Sequence, residues 1–303
     1  MEELSFEGRK VLITGAGRGI GRAYALLLAS RGAAVAVVDL GSTTDGSGVE
    51  DSDPAADVAA EITAAGGTAI GIRADISTQE GAAEAVSKAV EGLGGLNSVI
   101  NNAGIVWLAP FTEVSREEYQ RQLDVHFFGT LWTVKAAWPH LVESGSGRVV
   151  NTISAAMLGN PFMTHYGSSK GAVFGLTRNL ALDGLTVGVK VNAIAPGAGT
   201  RMADAAADSL PPEIMEYMRT AMTPELVAPV GAYLVHEDTD VTGEVFNAAA
   251  GGVNRMAIVN TAGIYDTELT IEAVAGQWDR IMTLDENAQP QVVALPEMPE
   301  LAQ

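Results

Sequence analysis

The chain contains no cysteine. That absence removes disulfide bridges, thiolate metal sites and cysteine nucleophiles together. Positive charge is scarce as well: 18 Lys and Arg stand against 37 Asp and Glu, a formal net charge of −19. Such a surface repels phosphate backbones and anionic bilayers, so neither nucleic acid nor a membrane is an expected partner. The four histidines form no His/Glu cluster at ligand spacing, so no catalytic metal is expected. No apolar run is long enough to span a bilayer. The opening MEELSFEGRK lacks the apolar core of a signal peptide, and the closing PELAQ is not a peroxisomal address of the Ser-Lys-Leu kind. These absences together predict a cytoplasmic protein.

What is present is a chain of 303 residues, 47% of them hydrophobic, enough for one large domain with a sizeable core. Short apolar runs alternate with longer amphipathic stretches. The runs at 10–15, 33–40, 68–76, 96–104, 147–154, 189–196 and 244–248 read as strands, the first of them, KVLITG, being apolar, β-branched and ended by Gly15. The stretches 19–30, 54–65, 78–92, 115–142, 164–183 and 224–235 read as helices. Repeated strand–helix alternation implies parallel strands joined by right-handed crossovers. The expected fold class is therefore α/β: a single Rossmann-type, doubly wound parallel sheet of about seven strands with helices on both faces. Residues 41–53 read as a polar Gly/Ser-rich surface insertion, and 197–222 as an Ala- and Met-rich connection suited to a substrate lid. The extension 251–303 holds one expected helix, at 269–282, and a Pro-containing tail.

TGAGRGIG, residues 14–21, lies between the first strand and the first helix. Glycines there let the backbone turn tightly and approach a pyrophosphate, while the helix N-terminus offers free N–H groups. The G-x-G-x-x-G spacing fails because position 20 is Ile20; the spacing is Thr-Gly-x-x-x-Gly-x-Gly through Gly15, Gly19 and Gly21. Asp39 ends the second strand, roughly 20 residues on, where a carboxylate can accept hydrogen bonds from ribose hydroxyls and repel a 2′-phosphate. This favours NAD over NADP, with Arg18 as a mild signal in the other direction. In THYGSSK, Tyr166 and Lys170 stand one helical turn apart on the same face. By spacing alone they are either a catalytic couple or a polar helix face.

The glycine loop, Asn101-Asn102-Ala103-Gly104, Ser154, Tyr166-x-x-x-Lys170 and Pro196–Gly197 occur in one order at fitting intervals. Together they resemble the short-chain dehydrogenase/reductase family over about residues 5–250. LDVHFFGT (123–130), KAAWPH (135–140), IAPGAGTRM (194–202) and PELVAPVGAYLVHED (224–238) narrow the likeness. They resemble the (3R)-hydroxyacyl-CoA dehydrogenase unit of multifunctional β-oxidation enzymes, and 268–290 resembles that unit's C-terminal end. The hydratase and sterol-carrier modules of some such enzymes are absent from this sequence.

The resemblance implies a nicotinamide cofactor and a set of roles. Tyr166 is the general acid/base, and the Lys170 ammonium is expected to lower a phenol pKa that is otherwise about 10. Lys170 also holds the nicotinamide ribose, and Ser154 hydrogen-bonds the substrate oxygen. His126 stands where the family commonly has an asparagine in a proton relay; it either bridges water to Lys170 or fills space. Gly15, Arg18, Gly19, Ile20, Gly21 and Asp39 are expected at the cofactor, with Asp75 and Ile76 flanking the adenine. Asn102, Ala103 and Gly104 would line its middle, and Pro196 and Gly197 would approach the nicotinamide. His165 is expected to point away from the site; His140 and His236 read as surface or helix-end residues.

The apolar 157–163 stretch and Met202, Met215, Met218 and Met222 suit an apolar substrate, fatty or steroid-like. Arg201, Arg219 and Arg255 are candidates for meeting a CoA phosphate. The expected activity is NAD-dependent oxidation of a 3-hydroxyacyl-CoA. The alternatives are a hydroxysteroid or other secondary-alcohol dehydrogenase without CoA, and a non-catalytic NAD-binding regulator. A homodimer or homotetramer is expected, with 115–142 and 164–183 as interface helices.

Overall fold

A computed structural model describes residues 3–204, 211–284 and 288–290. Strand and helix alternate from the start: β1 (Lys10–Thr14), α1 (Gly19–Ser30), β2 (Ala34–Asp39), α2 (Pro54–Ala64), β3 (Thr68–Arg73), α3 (Gln79–Leu93) and β4 (Ser98–Asn101). Then come α4 (Arg116–Leu123), α5 (Gly129–Glu143), β5 (Arg148–Thr152), α6 (Thr164–Leu185) and β6 (Lys190–Gly197). The remainder comprises α7 (Arg201–Asp204), α8 (Pro212–Ala221), α9 (Ala228–Leu234), β7 (Val245–Ala249), β8 (Gly252–Met256), β9 (Val259–Asn260), α10 (Ile271–Gly276), α11 (Trp278–Met282) and β10 (Gln289–Pro290).

Local chemistry sets the helix ends. Asp53 accepts from the Ala56 N–H ahead of α2, whose first residue is Pro54, and Thr78 accepts from the Gly81 N–H ahead of α3. Gly94 ends α3 in the left-handed conformation at φ 67°. Ser115 and Glu118 close a reciprocal capping box on α4.

The main sheet has the order β3-β2-β1-β4-β5-β6-β7-β8. The first seven strands pair in parallel and β8 runs antiparallel to β7. Successive side chains of each strand point to opposite faces. Val11 and Ile13 of β1, with Val35 and Val37 of β2, pack towards α1, α2 and α9. Leu12, Ala36 and Val38 pack on the other face with α3 and α5. Strand order reverses between β1 and β4, which opens a crevice at the C-terminal ends of those strands.

Four sequence expectations need correction. The main sheet has eight strands rather than about seven, because Ala250 (φ 49°) and Gly251 (φ 76°) turn β7 back into β8. Consecutive positive φ values give the turn that matches hairpin twist, and an alanine there hides the signal. The single helix expected over 115–142 is interrupted by a π-helical turn at Asp124–Phe128. The segment 224–235 is a 3-10 turn, Pro224–Leu226, followed by α9, and the expected helix 269–282 is split into α10 and α11. In the 197–222 connection, α7 and α8 are described and residues 205–210 lie outside the described residues, as do 285–287 and 291–303 of the extension. Among the described residues no helix is long and apolar enough to cross a membrane.

Candidate active site

The glycine loop leaves β1 with Gly15 at φ 62° and Gly19 at φ 52°, values that favour glycine over any L-residue. Arg18 occupies the N-cap of α1 with no side-chain hydrogen bond to the helix, so the first-turn N–H groups keep their donors. The Thr14 hydroxyl accepts from the N–H groups of Asn102 and Ala103, both at 3.1 Å. The Asn102 amide donates to the carbonyls of Thr14 and Gly15, both at 3.0 Å. Asp39 accepts from the N–H of Gly17 at 2.9 Å and of Gly41 at 2.8 Å. The loop is thus pinned from β4 on one side and β2 on the other.

These elements enclose a cavity of about 330 Å³. Gly15, Arg18, Gly19, Ile20, Asp39, Asp75, Ile76, Asn102, Ala103 and Gly104 all line it. Gly21 lies behind the wall, where only a hydrogen fits: a Cβ there would overlap the Gly15 carbonyl oxygen and stand 2.6 Å from Asn102 Nδ2. The insertion 41–53 is more than a surface loop. Ser42, Thr43, Thr44 and Ser47 line the cavity, and Val106 N–H donates to the Thr44 carbonyl at 2.9 Å. Glycines at close approach, free helix N–H groups and a strand-end carboxylate in one cavity fit a dinucleotide.

His126 adjoins this cavity through Gly104, whose Cα faces the His126 ring closely enough that a Cβ would lie 2.7 Å from Cε1, and Tyr166 stands against His126 with Ser154 and Lys170 beside it. The His126 and Tyr166 rings meet edge to face at 5.2 Å. Ser154 follows β5 and caps a 3-10 turn, accepting from the Ala156 N–H at 3.2 Å. Lys170, 3% exposed, donates from Nζ to the Thr152 carbonyl at 2.9 Å and lies 5.7 Å from the Tyr166 ring centroid. Pro196 and Gly197 close β6, beside Ala248 and Ala249 of β7, and Gly197 faces the methyl end of Met222.

The electrostatics differ from the expectation at one point. Burial pushes the Tyr166 phenol up, and the Ser154 hydroxyl only partly offsets this. Burial also pulls the Lys170 ammonium down to about 7. The expected lowering of the phenol by the ammonium is not what these surroundings give: desolvation is the largest influence on both groups, raising the phenol and lowering the lysine. A lysine with a depressed folded pKa binds fewer protons folded than unfolded between about 7 and 10.5, so stability rises with pH across that window. Denaturant melts of wild type and Lys170→Met test this. The wild type gains on the variant by roughly 2 kcal/mol between about pH 7 and about pH 9; parallel curves would contradict the assignment.

His126, 1% exposed, sits in the π-turn, a feature common at functional sites. Its Nε2 lies 2.8 Å from the Ile105 carbonyl and 3.2 Å from the Ile105 N–H, while Nδ1 is buried with no hydrogen-bond partner. Burial and the nearby Lys170 hold its pKa well below the ordinary histidine value, so the ring is neutral.

His165 turns to the Trp107 carbonyl at 3.1 Å and stacks on the Trp107 ring at 4.7 Å. His236 lies just past the end of α9 but is buried rather than at the surface, with Nε2 2.9 Å from the Ser5 carbonyl and Nδ1 accepting from the Asp238 N–H. His140 is half-buried near the end of α5. Two of the arginines considered for CoA are engaged by carboxylates: Arg201 with Glu50 at 3.1 Å and Arg255 with Glu244 at 2.6 Å. Sequence reasoning missed the anchors that hold the site. Thr14 Oγ1 lay inside the recognised motif, but the Thr152 carbonyl and the Glu50 carboxylate carried no local signal. Among the described residues no group of three or more His, Cys, Asp and Glu could hold a metal ion.

A family model described as short chain dehydrogenase matches residues 9–210. A protein of Mycobacterium tuberculosis described as a short-chain type dehydrogenase/reductase is 39% identical over 280 residues, 92% of this chain and 95% of the relative. The peroxisomal multifunctional enzyme A of Dictyostelium discoideum is 39% identical over 289 residues, 95% of this chain, which spans 63% of that longer protein. The crystal structure of a short chain dehydrogenase from Mycobacterium avium superposes with a TM-score of 0.77 at 34% identity, over 92% of this chain and 96% of that one. With the doubly wound sheet already in view, these likenesses settle the family: the chain belongs to the short-chain dehydrogenases, α/β oxidoreductases that typically work with a nicotinamide cofactor on small molecules.

Proposed function

We propose that the protein is an NAD-dependent dehydrogenase whose substrate is a 3-hydroxyacyl-CoA with a fatty or steroid side chain. The observation that carries the reading is the meeting of Tyr166, Ser154, Lys170 and His126 beside a cavity whose far wall bears Asp39. Asp39 favours the free ribose hydroxyls of NAD over a 2′-phosphate. Gly15, Arg18, Gly19 and Ile20 would hold the pyrophosphate, Asp75 and Ile76 the adenine, and Asn102, Ala103, Gly104, Pro196 and Gly197 the remainder. Asn102 would act through the loop it pins, because its main-chain N–H and its side-chain NH2 are already committed to Thr14 and Gly15. When bound, NAD supplies a hydride acceptor at the substrate carbon. Tyr166 Oη would exchange the proton with the substrate oxygen, Ser154 would orient the same oxygen and partly offset the burial of the phenol, and Lys170 would hold the nicotinamide ribose. His126 Nδ1 is buried without a hydrogen-bond partner near Lys170, and its neutral ring would join a relay by hydrogen bonding through water rather than by taking up charge.

The choice of thioester rests on the likeness of 123–130, 135–140, 194–202 and 224–238 to the hydroxyacyl-CoA dehydrogenase unit. The connection 197–222 would act as lid and 251–303 as an extension of the same domain. The dimer or tetramer and the cytoplasmic location belong to this reading too. Matched substrates test it. A 3-hydroxyacyl-CoA gives a kcat/KM at least about tenfold above its free 3-hydroxy acid, the ratio for one well-made recognition contact. Equal values would transfer the assignment to secondary alcohols without CoA.

A further inference from the structure

The 41–53 insertion carries one side chain that touches both walls of the cavity mouth. Glu50 Oε2 receives Arg18 Nη2 at 2.5 Å, and Glu50 Oε1 receives Arg201 Nη1 at 3.1 Å. Ser52 Oγ accepts from Arg18 at 3.2 Å as well. Arg18 and Arg201 line the cavity, as does Asp39, whereas Glu50 stands behind them. The two guanidinium groups hold the Glu50 carboxyl below the usual carboxylate range, Arg18 most strongly. A guanidinium at a glycine loop is well suited to a phosphate, because its planar fork matches phosphate oxygens. Here one arm of that fork, Nη2, is already held by a carboxylate.

We propose that Glu50 sets the cavity's choice between the two nicotinamide dinucleotides by holding the Arg18 guanidinium to itself, which leaves a 2′-phosphate beside Asp39 without an unpaired cation among the described residues that line the cavity. The inference rests on the reading that the cavity takes NAD, and it assigns to the insertion half of a selectivity otherwise attributed to Asp39. An NADP phosphate would have to displace Glu50 from Arg18 and bring two more negative charges next to both carboxylates. The insertion does not depend on the Glu50 side chain for its shape. Glu50 N–H donates to the Gly41 carbonyl at 2.7 Å, its carbonyl accepts from Arg73 at 2.8 Å, and Thr43 and Gly48 close the turn with a bond of 2.9 Å.

The test is calorimetric titration of the full chain with NAD and with NADP, for wild type, E50Q and the double variant E50Q/R18M. Glutamine keeps the shape and one acceptor but removes the charge. NADP binds E50Q at least about tenfold more tightly than wild type while NAD changes by less than about threefold, and the NADP gain disappears in the double variant. An unchanged NADP Kd, an equal shift for both cofactors, or a gain that survives loss of the Arg18 guanidinium overturns the proposal. The equal shift would mean that Glu50 only braces the insertion. The wild-type ratio tests the underlying reading separately: tighter binding of NADP than NAD before any substitution would overturn both.

Discussion

Replacing Tyr166 with Phe lowers kcat by roughly a hundred- to ten-thousandfold, the range for removal of a positioned general acid/base. The ring stays where it is, because its edge-to-face contact with His126 and its place on α6 depend on the carbon framework. Only Oη is lost, so the Kd for NAD, read by quenching of protein fluorescence, changes by less than about threefold in this account. The pairing of these two readouts matters. A Tyr166 that merely packed would give a folded variant with near-normal turnover. A non-catalytic NAD-binding regulator would show no turnover to lose and would keep its cellular role in the variant.

Gly21→Ala is expected to damage binding and stability together. The new methyl would overlap the Gly15 carbonyl oxygen and crowd Asn102 Nδ2 at 2.6 Å and the Ala16 Cα at 2.8 Å. Backbone cannot yield as a side-chain tip does, so the loop must move. That movement breaks the Asn102 bonds to the Thr14 and Gly15 carbonyls, which set the curvature of the cavity wall. Overpacking of this kind destabilises by about 1–3 kcal/mol. Affinity for NAD falls at least about tenfold, because the first-turn N–H groups of α1 shift with the loop. Urea melts and NAD titration of the same preparation check both. Unchanged stability and unchanged affinity would show that the loop has room the structure does not grant it.

The sequence carried the strand–helix alternation well because the central parallel strands β1, β2, β4, β5 and β6 are buried on both faces and therefore read as apolar runs. Helix α1 was legible to both ends, Gly19 and Ser30, since the glycine loop marks its start and Gly32 soon follows its end. The candidate site was legible where a motif names its residues: Gly15, Asp39, Ser154, Tyr166 and Lys170. It was not legible where geometry comes from elsewhere. The π-turn that presents His126 has no period of its own, being one extra residue in an otherwise helical stretch. The depressed Lys170 follows from burial at the end of β5, against the Thr152 carbonyl, which no local pattern reports. Glu50 looked like one more acid in a polar loop, and its partners Arg18 and Arg201 lie 32 and 151 residues away. The β7–β8 hairpin escaped because Ala250 takes a positive φ without being glycine.

The most direct measurement of the central claim is reduced-nicotinamide absorbance on mixing the protein with NAD and (3R)-3-hydroxyacyl-CoA thioesters of short, long and steroid side chains. The account predicts NADH formation with at least one thioester and its loss, within the range given for an acid/base, in the Tyr166→Phe variant. No NADH from any thioester, or equal rates in wild type and variant, would contradict it.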